Sequence, residues 1–109
     1  IGLGALNTLL EAMDAHRKAD AALLKGRKSR ALNGKAAAVR AVAPQIVPSL
    51  GMAGPTATLK YADLLDVLDR ALRGDQGAKA EYLKRREAEI KAMRSMLDQN
   101  GVFTPPFNG

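Results

Sequence analysis

From Asp75 to Asn100 every local signal points to one long helix. Asp75 can accept the backbone N–H groups of the first turn, and Asn100-Gly101 supplies a left-handed stop, followed by the apolar Val102 that usually accompanies a glycine cap. Between them Tyr82, Leu83, Ile90, Met93 and Leu97 mark the side expected to be buried. Glu81 and Glu87 each precede a cation, Arg85 and Lys91, by four residues with the acid first, the favourable order along a helix. A span this long and this consistent leaves an all-helical arrangement as the natural frame for the rest.

The remaining segments fit that frame less evenly. Residues 56–72 predict a second strong helix: Thr56 or Thr58 can cap it, Tyr61, Leu64, Leu65, Leu68 and Leu72 form its stripe, and Gly74 stops it. Asp66 and Asp69 are placed to pair with Arg70 and Arg73. At the N-terminus Leu3, Leu6, Leu10 and Met13 predict an amphipathic helix, widened by Leu9 and His16, that weakens at Arg17 and Asp20 and stops at Gly26. Its first turn, with Gly2 and Gly4, is prone to fray. An Ala-rich piece, "KAAAVRAVA", follows Ser29 and Asn33, either of which can cap it, and Pro44 closes it. The predicted fold is therefore all-α, three to four helices in a single helical domain over 1–109. An apolar Pro/Gly-rich connector spans 44–55, and an extended tail, pre-set by Pro105 and Pro106, spans 102–109.

The core of such a chain is thin. One domain is expected for 109 residues, but 20 of them are Ala against 15 Leu, with no Trp and only two each of Phe and Tyr. Ala buries little area, so stabilisation by neighbouring subunits is expected. Both phenylalanines, Phe103 and Phe107, lie in the tail, which reads with Pro105 and Pro106 as a docking segment, more readily for a neighbouring chain than for its own.

Charge is unevenly spread. The net charge of +6 comes from the middle of the chain, where residues 21–62 hold Lys25, Arg27, Lys28, Arg30, Lys35, Arg40 and Lys60 and no carboxylate, whereas residues 63–109 hold eight charges of each sign. Six of these cations fall between Leu23 and Arg40. Contact with nucleic-acid phosphates, pairing with an acidic face of the same or a neighbouring chain (the aspartates at 63, 66 and 69 among the candidates), or simple solvation would each account for them. No aromatic residue interleaves the cluster and no recognition-helix or zinc-finger pattern is present, so any nucleic-acid contact is expected to be to the backbone and independent of sequence.

Several chemistries are excluded. There is no cysteine, hence no disulfide framework, thiolate nucleophile or cysteine metal site. His16 is the single histidine, with one carboxylate, Asp20, at helical spacing, too few ligands for zinc, and a structural or solvent-facing role is the better reading. "SRALNGKA" matches a phosphate loop only at Gly34 and Lys35: Ser29 stands where the first glycine belongs and Ala36 where a hydroxyl must hold magnesium. Asp63, Asp66 and Asp69 recur every third residue but read as a salt-bridged surface rather than a metal site. The N-terminal helix is acidic where a membrane-surface helix is basic, and no run reaches the length of a membrane span.

No catalytic, cofactor-binding or metal-binding residue is therefore expected, and no small-molecule substrate or membrane partner. The chain reads as a non-enzymatic structural or assembly protein, a small helical subunit of a larger homo- or hetero-oligomer whose basic segment faces nucleic acid or an acidic partner. A bacteriophage virion connector, internal or packaging-associated component would suit these features by analogy. The alternative is a free-standing, non-specific nucleic-acid-binding protein. Without a signal-peptide pattern the protein is expected not to be secreted, and to be intracellular or within a virion. Its opening Ile is expected of a trimmed, processed or partial chain.

Overall fold

The computed structural model describes residues 2–29, 32–46 and 54–107. Four α-helices follow one another: α1 (Leu3–Leu24), α2 (Lys35–Val42), α3 (Gly54–Leu72) and α4 (Gln76–Gln99), with a 3-10 turn (Ala43–Gln45) after α2. There is no strand among the described residues. None of these helices is long and apolar enough to cross a membrane.

Three of the helices end in the same way, and the sequence explains why. Gly26, Gly74 and Gly101 have φ values of +67°, +104° and +76°, a region that costs a side chain strain and glycine almost nothing. In each case the glycine N–H and the N–H after it turn back onto carbonyls of the last helical turn: Gly26 to Leu23 and Arg27 to Ala22, Gly74 to Ala71 and Asp75 to Arg70, Gly101 to Asp98 and Val102 to Leu97. At the other end of α4 the Asp75 carboxylate accepts the Ala78 N–H at 3.0 Å, as the capping pattern predicts.

α3 is the central element. It packs along α4 and α2 and touches α1, and its Tyr61, Leu64, Leu65 and Leu68 are all fully buried. The core is one cluster, in which Leu9, Met13 and several alanines of α1 meet Val39 of α2, that leucine stripe, and Tyr82, Met93, Met96 and Leu97 of α4. α3 and α4 form an antiparallel hairpin through the tight turn at Gly74, so their apolar stripes face each other along most of their length.

Four expectations are corrected. In α1 the buried face is turned toward the alanines: Ala5, Leu9, Ala12, Met13, His16, Ala19, Asp20 and Leu23 are inside, while Leu3 is 79% exposed, because small residues let α1 approach its neighbours where leucines would hold it away. Leu83 is 42% exposed, its direction lying beside rather than within the face that carries Tyr82 and Ile90. The connector is shorter than 44–55. Residues 43–45 form the 3-10 turn, Ile46 is buried and α3 already begins at Gly54 with Pro55 in its first turn, where the missing N–H is no loss; residues 47–53 lie outside those described. Neither Thr58 nor Asn33 caps a helix by its side chain: the Thr58 hydroxyl donates to the Gly54 carbonyl at 2.8 Å, and α2 starts from Gly34 in a left-handed conformation.

Candidate functional site

The six cations of the basic segment separate into three groups. Lys25, Arg27 and Lys28 follow the end of α1, are exposed, and make no ion pair among the described residues. The glycine cap at Gly26 holds the chain in a tight reversal there, with Lys25 on one side of it and Arg27 and Lys28 on the other. Lys35 and Arg40 are compensated within the chain. Lys35 lies 3.9 Å from Glu11, and one Arg40 guanidinium nitrogen serves both Asp63, at 2.8 Å, and Asp66. Those two hydrogen-bonded carboxylates raise the Arg40 pKa above its ordinary value. Arg30 lies outside the described residues.

The acidic row on α3 is thereby accounted for. Asp66, expected to pair with Arg70, meets Arg40 together with Asp63, and Asp69 pairs with Arg73 at 2.9 Å as its spacing predicts. No cluster of three metal-ligating side chains occurs among the described residues.

The tail turns back onto its own chain. Thr104 is buried, its hydroxyl and carbonyl oxygens accepting from Arg94 at 3.2 and 3.1 Å, and Phe107 reaches the core with its ring centroid 4.7 Å from that of His16. For Phe107 the preference for a neighbouring chain is thus corrected: the seam between α1 and α4 leaves a slot that its own ring fills. Phe103 points away and is 80% exposed, and Pro105 and Pro106 are exposed. A groove of about 610 Å³ runs between α4 and the tail, with Ile90, Val102, Phe103 and Phe107 as its apolar lining and Lys91 and Asp98 among its charges.

Beneath Phe107 lies a cluster that the sequence marks only faintly. His16 is fully buried, with Nδ1 2.5 Å from the Tyr61 hydroxyl and Nε2 2.7 Å from the Tyr82 hydroxyl. Tyr82 donates its proton to Asp20 Oδ1 at 2.6 Å, and Arg86 grips both Asp20 oxygens at 2.7 Å. Counting donors and acceptors assigns the protons. Because the Tyr82 hydrogen is committed to the carboxylate, Nε2 must carry the imidazole proton and donate to Tyr82, leaving Nδ1 to accept from Tyr61. The chain of bonds runs Tyr61 to His16 to Tyr82 to Asp20, and Arg86 closes it.

Electrostatics follow from that burial. Desolvation pushes the His16 pKa down to about 3, Asp20 opposing and Arg86 reinforcing the shift, so the ring is neutral at ordinary pH. Both tyrosines are pushed up, mainly by burial and further by the Asp20 charge, and Arg86 is raised chiefly by its hydrogen bonds to Asp20. Buried, neutral and hydrogen-bonded at both nitrogens, the imidazole ties α1 to α3 and α4, so of the structural and solvent-facing placements expected for it the solvent-facing one is not the one found.

Sequence reading missed Arg86 and Arg94, and placed Asp20 beside His16 without finding its partners. Asp20 registers as a break in the α1 stripe and as the one carboxylate at helical spacing from His16, and Arg86 hides in the run of cations at 84–86. The available signal was the four-residue spacing of His16 and Asp20, with a tyrosine in each of the two strongest apolar stripes. No protein-family model matches the chain, and neither a curated protein nor a solved structure shows significant similarity to it.

Proposed function

We propose that the protein is a non-enzymatic helical subunit of a larger assembly, and that Lys25, Arg27 and Lys28 at the end of α1 contact nucleic-acid backbone phosphates. The observation that carries this reading is the contrast within the basic segment: Lys35 and Arg40 are served by acids of the same chain, while these three are exposed with no carboxylate in reach among the described residues. Own-chain pairing with the α3 aspartates, one of the three explanations for the cluster, is taken up by Arg40 and Arg73. What favours assembly is the exposure of Phe103 and Leu3, 80% and 79%, in a chain whose core relies on alanine.

Retention on DNA and RNA of unrelated sequences at low salt tests the contact. Replacing Lys25, Arg27 and Lys28 together by Gln should weaken binding about equally for all sequences and flatten the salt dependence by up to about 2.7 in the log–log slope, about 0.9 per lost phosphate contact. A wild-type protein that is not retained at all removes the phosphate reading in favour of an acidic protein partner. Native mass spectrometry tests the assembly: a defined oligomer or stable hetero-complex supports it, and a monomer that still binds nucleic acid points to a free-standing binding protein.

A further inference from the structure

We infer that His16 and Phe107 form an acid-released latch: uptake of a proton by His16 frees the C-terminal segment from the seam between α1 and α4 while the helices stay folded. The neutral ring fits because each nitrogen meets a group of the opposite kind. Protonation turns Nδ1 into a donor aimed at the Tyr61 hydroxyl 2.5 Å away, whose own hydrogen, fully buried, then has no other acceptor bonded to it among the described residues.

Nor is there a spare anion for the new charge. The groups facing His16 are Asp20 from α1, Tyr61 from α3, Tyr82 and Arg86 from α4, and the uncharged Phe107 from the tail. Asp20, the only acid among them, is already matched by both arms of Arg86. The imidazolium is stable only if water reaches it.

Of the described elements packed around the imidazole, the tail is the least firmly held. α3 and α4 are held together by buried leucines, methionines and tyrosines, and α1 joins them through Leu9, Met13 and Leu23. By contrast residues 103–107 make no backbone–backbone hydrogen bond among the described residues, and hold on by Phe107, Thr104 and the Arg94 contacts. Open space borders Phe107 on two sides: the groove along α4, and a smaller pocket of about 140 Å³ against Leu10, Met13 and Arg17 of α1. Lifting that ring exposes the imidazole at the least loss of contact.

Linkage sets the expected response. If the open form gives His16 its ordinary pKa of 6.5 and the closed form holds it at about 3, the open-to-closed ratio rises about tenfold per pH unit as pH falls between those values. A latch closed about 100 to 1 at neutral pH would be half open near pH 4.5.

The chain has only two phenylalanines, so full-length protein labelled with fluorophenylalanine gives two fluorine resonances, with exposed Phe103 as internal reference. Between pH 7.5 and 4 the Phe107 resonance should move to a solvent-like position with a one-proton dependence, in step with the His16 ring resonances, while circular dichroism keeps its helical signal. Tyr61→Phe removes the donor to Nδ1 and should move that midpoint to higher pH. A Phe107 resonance that moves only together with loss of helicity, or at a pH where His16 does not titrate, overturns the latch. So does a folded Tyr61→Phe protein with an unmoved midpoint. If that variant loses its helicity at neutral pH, the coincidence of the His16 and Phe107 transitions in the wild type decides alone.

Discussion

The two seams that α4 makes are built on different principles. Against α3 it lays a continuous apolar face, Tyr82, Met93, Met96 and Leu97 against Leu64, Leu65 and Leu68, and the two helices run together without any intermediary. Across from α1 the connection consists of the His16, Tyr82, Asp20 and Arg86 bonds and the inserted tail. The difference is one of side-chain size. α1 offers Ala12, Ala15 and Ala19 at its buried positions, which suits close approach on one side but leaves a gap toward α4 that long polar side chains and a borrowed phenylalanine must span. A leucine face tolerates small errors of position; a closed hydrogen-bond chain does not, since each group left without its partner costs about 1–3 kcal/mol.

The largest expected effect is on the polar seam. Asp20→Ala leaves Arg86 without its carboxylate and Tyr82 without its acceptor, and should lower unfolding free energy by about 3 kcal/mol or more, measured by urea denaturation. Asp20 is 5% exposed at its side chain and Arg86 23%, so water can offset only part of this. A loss below about 1 kcal/mol, the range of an exposed pair, would show that the seam depends on the tail rather than on the charges.

Acid should separate the seams next. With the tail closed over it His16 binds no proton above about pH 3, whereas the unfolded chain binds one below about 6.5, so the unfolded state gains the proton first. The stabilising contribution is complete above pH 6.5 and falls by about 1.4 kcal/mol per pH unit below it, until the latch opens near pH 4.5 and the folded protein takes up the proton as well. Leu68→Ala, in the apolar seam, should cost about 2–5 kcal/mol with the same pH profile as the wild type. A Leu68→Ala curve that flattens in acid would mean the two seams are one coupled unit.

The smallest effect is at the surface. Arg40 is 40% exposed at its side chain and its two partners 61% and 41%, so Arg40→Ala should cost no more than about 1 kcal/mol, and less in high salt. A salt-insensitive loss of several kcal/mol would show α2 to be locked to α3 by charge.

How much of this was legible follows the same division. The hairpin of α3 and α4 could be read residue by residue: Asp75 caps, Gly74 and Gly101 stop, and Leu64, Leu65, Leu68, Met93 and Leu97 are inside. Caps and stops depend on neighbours within four or five positions, and a leucine stripe is buried whatever it meets. The α1 face was misread because leucine and alanine compete for it: Leu3, Leu6 and Leu10 give the stronger apolar signal, yet the alanines turn inward. At Asp20 a carboxylate looks like solvent-facing punctuation until Arg86, 66 positions away, is brought to it.

The sequence by itself determined that the chain is helical, where its strong helices stop, and that its positive charge is concentrated before Arg40, since each depends on residues close together in the chain. Tertiary structure alone decided which cations are neutralised, that Arg40 and not Lys25 meets the α3 acids, and that Phe107 covers a histidine while Phe103 does not. Those outcomes depend on distances between segments far apart in sequence. Only packing, by fixing which gaps remain between the helices, sets such distances.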